Sequence, residues 1–263
     1  MSQYQDLATK ARGYGAPFVS KAIAVADRLG MADADWLLAA IAIETGNFAA
    51  VGPPWNSRNA KDNGAGIIGF TGVDGQGWER MTPTEQLDLV ERYYNRFKDE
   101  FGIAKFRSPV ESYEIVRGPW GLLMKPDAQV GDGKTRQWVI DTATRIFTSL
   151  GLSWTVPTFG MEGAWNVRIG TWRGIFVFSQ NGDVWYASAP ERSGGAVPEV
   201  GMSDRKYGHW SCDGKTLTWR FGPRDDVRRF QVSLPVPEEK WEGFIRQQGQ
   251  GFFKMWRGAV EPD

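Results

Sequence analysis

Apolar positions recur at helical spacing up to about residue 150 and at every second position beyond about residue 160. In APFVSKAIAVADRLG, Phe18, Ala22, Val25 and Leu29 follow i, i+4, i+7 and i+11, and Gly30 supplies a stop, which predicts one amphipathic helix. Asp33 or Asp35 can cap a second helix. Because Trp36 to Ile43 is apolar on every side, that helix belongs in the middle of its domain. A third helix is expected over TPTEQLDLVERYYNRF, with a Thr82 cap, Gln86 nearby, and Leu87, Val90, Tyr94 and Phe97 in phase. A fourth is expected over TRQWVIDTATRIFTSLG, with Trp138, Thr142, Arg145 and Leu150 broadly in register and Gly151 as the stop. Between the second and third helices lie roughly thirty residues rich in Gly, Pro and Asn, longer than a plain connector needs to be. A long irregular segment beside a buried helix is where a site can be built.

After LSWTVPTFGMEG the period becomes two. AWNVRI, WRGIFVF, DVWYA, GHWS, TLTWRF, VRRFQVSL, WEGFIR and GFFKMWR are short, rich in aromatic and β-branched residues, and separated by turn signals. Asn181-Gly182 and Asp213-Gly214 suit hairpin turns, since such residues tolerate positive φ cheaply. About eight antiparallel strands in a hundred residues predict a closed barrel of lipocalin or avidin type, because closure removes the edge strands. The fold class expected is therefore α+β in two domains, a mainly α domain over residues 1–153 and an antiparallel β-barrel over 161–263, an accessory or binding domain. SGGAVPEVGMSDRK, residues 193–206, is the longest loop of that second half: a lid, a partner-binding loop or a connector.

Composition narrows the chemistry. The 263 residues carry 31 Lys plus Arg and 31 Asp plus Glu, so no global field draws the chain to nucleic acid or to an anionic membrane. No apolar stretch approaches the roughly 18 to 20 residues of a spanning helix, and MSQYQDLATKARGYG has no apolar core of an export signal. Neither a membrane span nor ordinary export is expected. The single cysteine, Cys212, excludes an internal disulfide framework, and the single histidine, His209, excludes histidine-rich metal sites. His209 and Cys212 are three apart in a predicted strand and point to opposite faces, which removes a Cys-His pair. GVDGQG and GDGK lack the flanks of phosphate-binding loops, and no dinucleotide fingerprint occurs. No metal and no cofactor is expected, and carboxylates are the candidate agents.

Glu44 stands out. On a helix it shares a face with Leu37, Ala40 and Ile41, so it points toward the interior, while Thr45-Gly46-Asn47 ends the helix and puts the carboxyl at the lip of the long loop. A glutamic acid withdrawn from water can keep its proton and hand it to a glycosidic oxygen. A glutamate so placed is either such an acid, a carboxylate paired with an arginine, or a helix-end residue turned to solvent. The next segment, NGAGIIGFT, packs three glycines into Gly64 to Gly69 before Phe70 and Thr71, which suits a tight turn whose backbone can approach a ligand.

FVSKAIAVADRLG, DWLLAAIAIETGNF, NGAGIIGFT and MTPTEQLDLVERYYNRF, in that order over most of residues 17 to 97, resemble the lytic transglycosylase and goose-type lysozyme superfamily. The nearest likeness is to the transglycosylase-like domains of phage tail proteins, phage endolysins and type VI secretion effectors. The resemblance implies a lysozyme-like helical domain that cleaves the MurNAc-GlcNAc β-1,4 bond of peptidoglycan. It places Glu44 as the catalytic acid and Gly66, Ile67, Ile68 and Phe70 in the substrate-flanking turn, with Thr71 after it. Gly69 stands where the family usually has a glutamine, so an amide that could bind sugar is missing. Thr71 stands where some goose-type enzymes carry a carboxylate.

A hydrolase needs a second carboxylate, roughly 6.5 to 9.5 Å from the acid for inversion or about 5 to 5.5 Å for retention. A lytic transglycosylase needs none, because the same Glu takes the muramic 6-hydroxyl proton as the anhydro ring closes. Asp62 is the first candidate for a second acid, with Asp74 beside it; both also suit the turns Asp62-Asn63-Gly64 and Asp74-Gly75. Of Tyr93 and Tyr94, one faces the groove and the other packs; Tyr94 and Tyr113 are the candidate cleft-lining tyrosines, and Trp55 and Trp78 candidate sugar platforms. Seven of the 13 tryptophans fall in the strand region, where they either hold wall glycan or fill the barrel. The implied partners are peptidoglycan glycan strands and, for a delivered toxin, a cognate immunity protein or a secretion or tail component. Without an export signal, such an enzyme is made in the cytoplasm and reaches the periplasm by phage or contractile secretion machinery. The alternatives are a non-catalytic glycan-binding or structural component of a phage tail or secretion apparatus, and a β-1,4 glycan such as chitin as substrate.

Overall fold

A computed structural model of the protein describes residues 4–49, 66–70, 77–130, 133–169, 172–188, 206–221, 227–231, 240–244 and 252–257. It is a mixed α+β structure of helices and a curled antiparallel sheet, half of a barrel. Two compact units share the chain: residues 1–98, 105–119 and 129–155 form one, and 99–104, 120–128 and 156–263 form the other.

In the first unit, α1 (Tyr4–Ala11), α2 (Ala16–Arg28) and α5 (Pro109–Arg117) pack against α3 (Asp35–Glu44). The expected stripe of α2, Phe18, Ala22, Val25 and Leu29, is wholly buried. Every residue of α3 but Ile43 is buried, as an apolar run without a polar side requires. Neither expected aspartate is the cap of α3: the N-cap is Ala34, without a side-chain cap, while Asp33 accepts from the Asp35 amide at 2.9 Å just ahead of the helix and Asp35 lies inside the first turn. α4 (Pro83–Phe101) is longer than its pattern indicated and buries Leu87, Val90, Tyr94 and Phe97. Its cap is a reciprocal box: Glu85 accepts from the Thr82 amide at 2.7 Å, and Thr82 Oγ1 accepts from the Glu85 amide at 3.3 Å. Lys98 on α4 donates its ammonium to the carbonyl of Leu29, closing the end of α2. A two-stranded ribbon, β1 (Gln129–Val130) and β2 (Lys134–Thr135), precedes α6 (Arg136–Ser149). The inward face of α6 is Arg136, Val139, Ala143 and Phe147, not the row through Trp138 and Arg145. Trp138 is 43 % exposed and lies under the Lys134 ammonium, 4.9 Å from the ring centroid. Val139 and Ala143 fit the inward row in phase, and Trp138 does not.

The second unit holds β3 (Gly163–Ile169), β4 (Trp172–Phe178), β5 (Asp183–Ser188), β6 (Lys206–Cys212), β7 (Thr216–Arg220), β8 (Val227–Gln231), β9 (Lys240–Phe244) and β10 (Phe252–Trp256). They pair antiparallel in the order β8-β7-β6-β5-β4-β3-β10-β9. Among the described residues no ladder joins β8 to β9, so where a closed barrel was expected the structure shows a half-barrel. The registers Trp165↔Phe176, Phe176↔Tyr186, Phe178↔Val184 and Trp210↔Trp219 put one residue in two on the concave face. Phe178 and Trp219 meet edge to face there at 5.6 Å, so these aromatics fill the half-barrel as core.

The convex face of β6 and β7 is buried as well. Ser211 donates to the Gly102 carbonyl at 2.7 Å, Arg220 donates to the Glu100 carbonyl, and the Arg220 guanidinium lies 5.4 Å from the Phe101 ring and 5.7 Å from the Trp120 ring. That cover accounts for the complete burial of His209 and Arg220. His209 and Cys212 lie on opposite faces of β6, as their spacing indicated.

Asp35 gives the helical unit a pH dependence. It is only 6 % exposed and its Oδ1 has no hydrogen-bond partner among the described residues. Burial, with the charge of Asp33 adding, pushes its carboxyl up to about 6. A raised acid favours the protonated fold: its contribution is complete below the ordinary value of 3.8 and is lost as pH rises through about 6. Above that range the buried charge costs on the order of 2 to 3 kcal/mol, partly offset by the α3 macrodipole. We expect Asp35→Asn to melt above the wild type at pH 7.5 and level with it at pH 4. Equal melting at pH 7.5 contradicts this.

Candidate active site

Glu44 is the last residue of α3 and is 3 % exposed. Directly after it the chain turns away through Gly46, Asn47 and Phe48, all with φ of 62°. Two non-glycine residues in that region are costly, on the order of 1 kcal/mol or more each. Thr45 holds the turn, donating to the Ile41 carbonyl at 2.7 Å and accepting from the Phe48 amide at 3.1 Å.

One oxygen of Glu44 is taken. The Tyr113 hydroxyl donates to Oε1 at 2.7 Å, and the Tyr113 ring stands edge-on to Phe147 of α6 at 5.7 Å. α5 is fixed on several sides so that this hydroxyl arrives in place. Ser108 caps it by accepting from the Glu111 amide at 3.1 Å, and Glu111 accepts from the Arg107 amide at 2.5 Å. The buried Glu114–Arg136 pair, 2.8 Å apart, ties α5 to the start of α6. Tyr93 of α4 donates to the Ile115 carbonyl at 3.1 Å.

The other oxygen faces a glycine turn. The Gly69 amide donates to the Gly66 carbonyl at 3.1 Å, and φ is 82° at Gly66 and 69° at Gly69. A Cβ on Gly69 would stand 3.3 Å from Glu44 Oε2. A larger residue here would be strained at that φ and would crowd the carboxyl. Gly66 is equally confined, since a Cβ there would meet the Phe70 ring at 2.7 Å and Gln86 Oε1 at 2.8 Å. Gln86, fully buried on α4, fixes the turn: Oε1 accepts from the Ile67 amide at 3.0 Å while Nε2 donates to the Met81 carbonyl at 3.2 Å. Tyr113 and the Gly69 turn thus flank the two oxygens of the carboxyl.

The structure thus brings Glu44, Tyr113, Gly66, Ile67, Ile68 and Phe70 together. Ile67, Ile68 and Phe70 are buried, so the turn borders Oε2 with its Gly69 backbone while its larger side chains pack inward. Tyr94 is fully buried beside the site and presents no surface to a sugar; burial, then Tyr93 and Glu44, hold its phenol well above the ordinary tyrosine range. Trp78 is half-buried in a short 3₁₀ turn, Trp78–Arg80. Asp62, Thr71, Asp74 and Trp55 lie outside the described residues. Sequence reasoning took Gln86 for part of the α4 cap; the signal it passed over is a polar residue on the apolar face shared by Val90, Tyr94 and Phe97. It also passed over the Ser108 cap that starts α5. Among the described residues no group of three or more His, Cys, Asp or Glu could hold a metal ion, and no helix is long and apolar enough to cross a membrane. No family model matches the chain, and no curated protein or solved structure does.

Gln86→Leu keeps the bulk but leaves the Ile67 amide without its acceptor, which costs about 1 to 3 kcal/mol for a buried donor. Urea denaturation is expected to show that loss. An unchanged midpoint contradicts the role given to Gln86.

Proposed function

We propose that the protein cleaves the β-1,4 MurNAc-GlcNAc bond of bacterial peptidoglycan with Glu44 as general acid and base. The observation that carries this reading is a glutamate buried at the end of an apolar helix, its Oε1 held by the Tyr113 hydroxyl and its Oε2 against the glycine turn at Gly69. As general acid, Glu44 gives its proton to the glycosidic oxygen as the C1–O bond breaks. The resulting carboxylate then takes a proton from the nucleophile. In a lytic transglycosylase that nucleophile is the muramic 6-hydroxyl; in a hydrolase it is water, with Asp62 as the candidate second carboxylate. Proton transfer by a positioned group of this kind contributes roughly 10² to 10⁴ in rate.

On this reading the helices form a lysozyme-like domain of the transglycosylase and goose-type lysozyme kind, and the sheet is a barrel of lipocalin or avidin type that accompanies it. The partners are glycan strands and, for a delivered antibacterial protein, an immunity protein or a tail or secretion component. Action is in the periplasm after delivery. Gly69 favours a second reading, a non-catalytic glycan-binding component of a tail or secretion apparatus, because it offers no side-chain amide to a sugar.

Mass spectrometry of fragments released from purified peptidoglycan separates these readings. Wild type is expected to release products and Glu44→Gln to release none while still binding the wall. Anhydro-muramic ends identify a lytic transglycosylase, and reducing ends identify a hydrolase. A folded wild type that releases nothing leaves the binding protein.

A further inference from the structure

One buried amide holds the glycine turn beside Glu44 and also the chain beyond that turn. Gln86 lies near the start of α4, where the Thr82–Glu85 box and the bond from the Gln86 backbone amide to the Thr82 carbonyl at 3.0 Å fix the helix. Its side chain has no exposed surface. Oε1 accepts from the Ile67 amide at 3.0 Å, and Nε2 donates to the Met81 carbonyl at 3.2 Å, with the Trp78 carbonyl at 3.5 Å. Only this orientation of the amide gives an N–H an acceptor on one side and two carbonyls a donor on the other. The turn is pressed close, since a Cβ on Gly66 would meet Gln86 Oε1 at 2.8 Å. Seven positions on along the same face of α4, the Tyr93 ring meets Phe70 edge to face at 6.1 Å, so α4 grips the turn at Ile67 and at Phe70. Within the turn the Gly69 amide donates to the Gly66 carbonyl at 3.1 Å, and Gly69 is the residue whose Cβ would stand 3.3 Å from Glu44 Oε2. The place of the Gly69 backbone at the Glu44 carboxyl is therefore set from α4.

We propose that Gln86 is a positioning residue for the reaction at Glu44: its amide fixes where the turn at 66–69 stands against the carboxyl and locks that turn to the one at Trp78–Arg80. This rests on the reading of Glu44 as the acid. Gln86 itself touches no reacting atom and exchanges no proton. Without it the Ile67 amide is enclosed with no acceptor, and the turn moves to find one. A displacement of about 1 Å beside the reacting centre is enough to cost roughly 100-fold in rate. The bond to be cut then sits wrongly against Glu44 while the rest of a long glycan is still held, so the loss falls on kcat and not on KM. The same substitution takes the donor from the Met81 carbonyl, which uncouples the two turns.

The test is steady-state kinetics on soluble, uncross-linked glycan strands for wild type, Gln86→Leu, Gln86→Met, Gln86→Glu, Glu44→Gln and Val25→Ala, each well below its melting temperature. Val25 is a buried residue of α2, and its truncation supplies a loss of stability unconnected with the turn. The expected result is kcat lower by about 10- to 100-fold in Gln86→Leu and Gln86→Met with KM within about threefold, and Val25→Ala at the wild-type rate. At about pH 5 Gln86→Glu recovers most of the rate of wild type at that pH, because a buried carboxyl keeps its proton there and offers both the acceptor and the donor of the amide. In an enzyme that Glu44→Gln inactivates, a folded Gln86→Leu or Gln86→Met protein with wild-type kcat overturns the role of Gln86 alone. So does an equal loss in Val25→Ala, or a Gln86→Glu protein no faster than Gln86→Leu under those acidic conditions. Full activity in Glu44→Gln, or none in wild type, overturns the reading of the site and this inference with it.

Discussion

The hydrogen bond from Tyr113 to Glu44 Oε1, 2.7 Å long and closed off from water, is the contact on which the helical unit turns. A carboxyl at the end of an apolar helix has no partner on that helix. A buried polar group left without one costs about 1 to 3 kcal/mol, more if charged. α5 supplies the donor. That accounts for how firmly so short a helix is held: capped by Ser108, tied to α6 through Glu114 and Arg136, and bonded to α4 through Tyr93. Each of these contacts fixes the bearing of one hydroxyl.

The second constraint is the turn at Oε2. Glycine at 69 satisfies backbone conformation and clearance together, and Gln86 anchors the turn from the opposite side. Glu44 is thus held between a tyrosine hydroxyl on one side and a glycine turn on the other. In the second unit the logic differs. The half-barrel is filled by its own aromatics, and its convex face at β6 and β7 is closed by Gly102, Phe101 and Trp120. Burial on both sides explains why a strand such as β6 carries Trp210 and His209 next to each other, both enclosed.

Periodicity made most of this architecture legible. The i, i+4, i+7 row of α2, the uniform apolarity of α3 and the alternation of eight strands each state a burial requirement that only one element type satisfies. Where two rows competed, as on α6, the large apolar Trp138 misled, because a half-exposed tryptophan can also lie at a surface under a lysine ammonium. Barrel closure was not readable, since strand count does not determine whether the last strand meets the first. In the site, Glu44 was conspicuous as an ionisable group against an apolar background. Its partners were not, because Tyr113 is 69 positions away and Gln86 acts through the backbone of another segment. Such pairings depend on how helices pack, which local pattern does not encode.

The most direct measurement on the central claim is the rate at which Tyr113→Phe releases fragments from peptidoglycan, taken with its melting temperature. Losing a hydrogen bond to a charged group is worth about 1.5 to 3 kcal/mol, or roughly 10- to 150-fold in rate. The account predicts a folded Tyr113→Phe protein slowed to that extent. A folded variant working at the wild-type rate would contradict it.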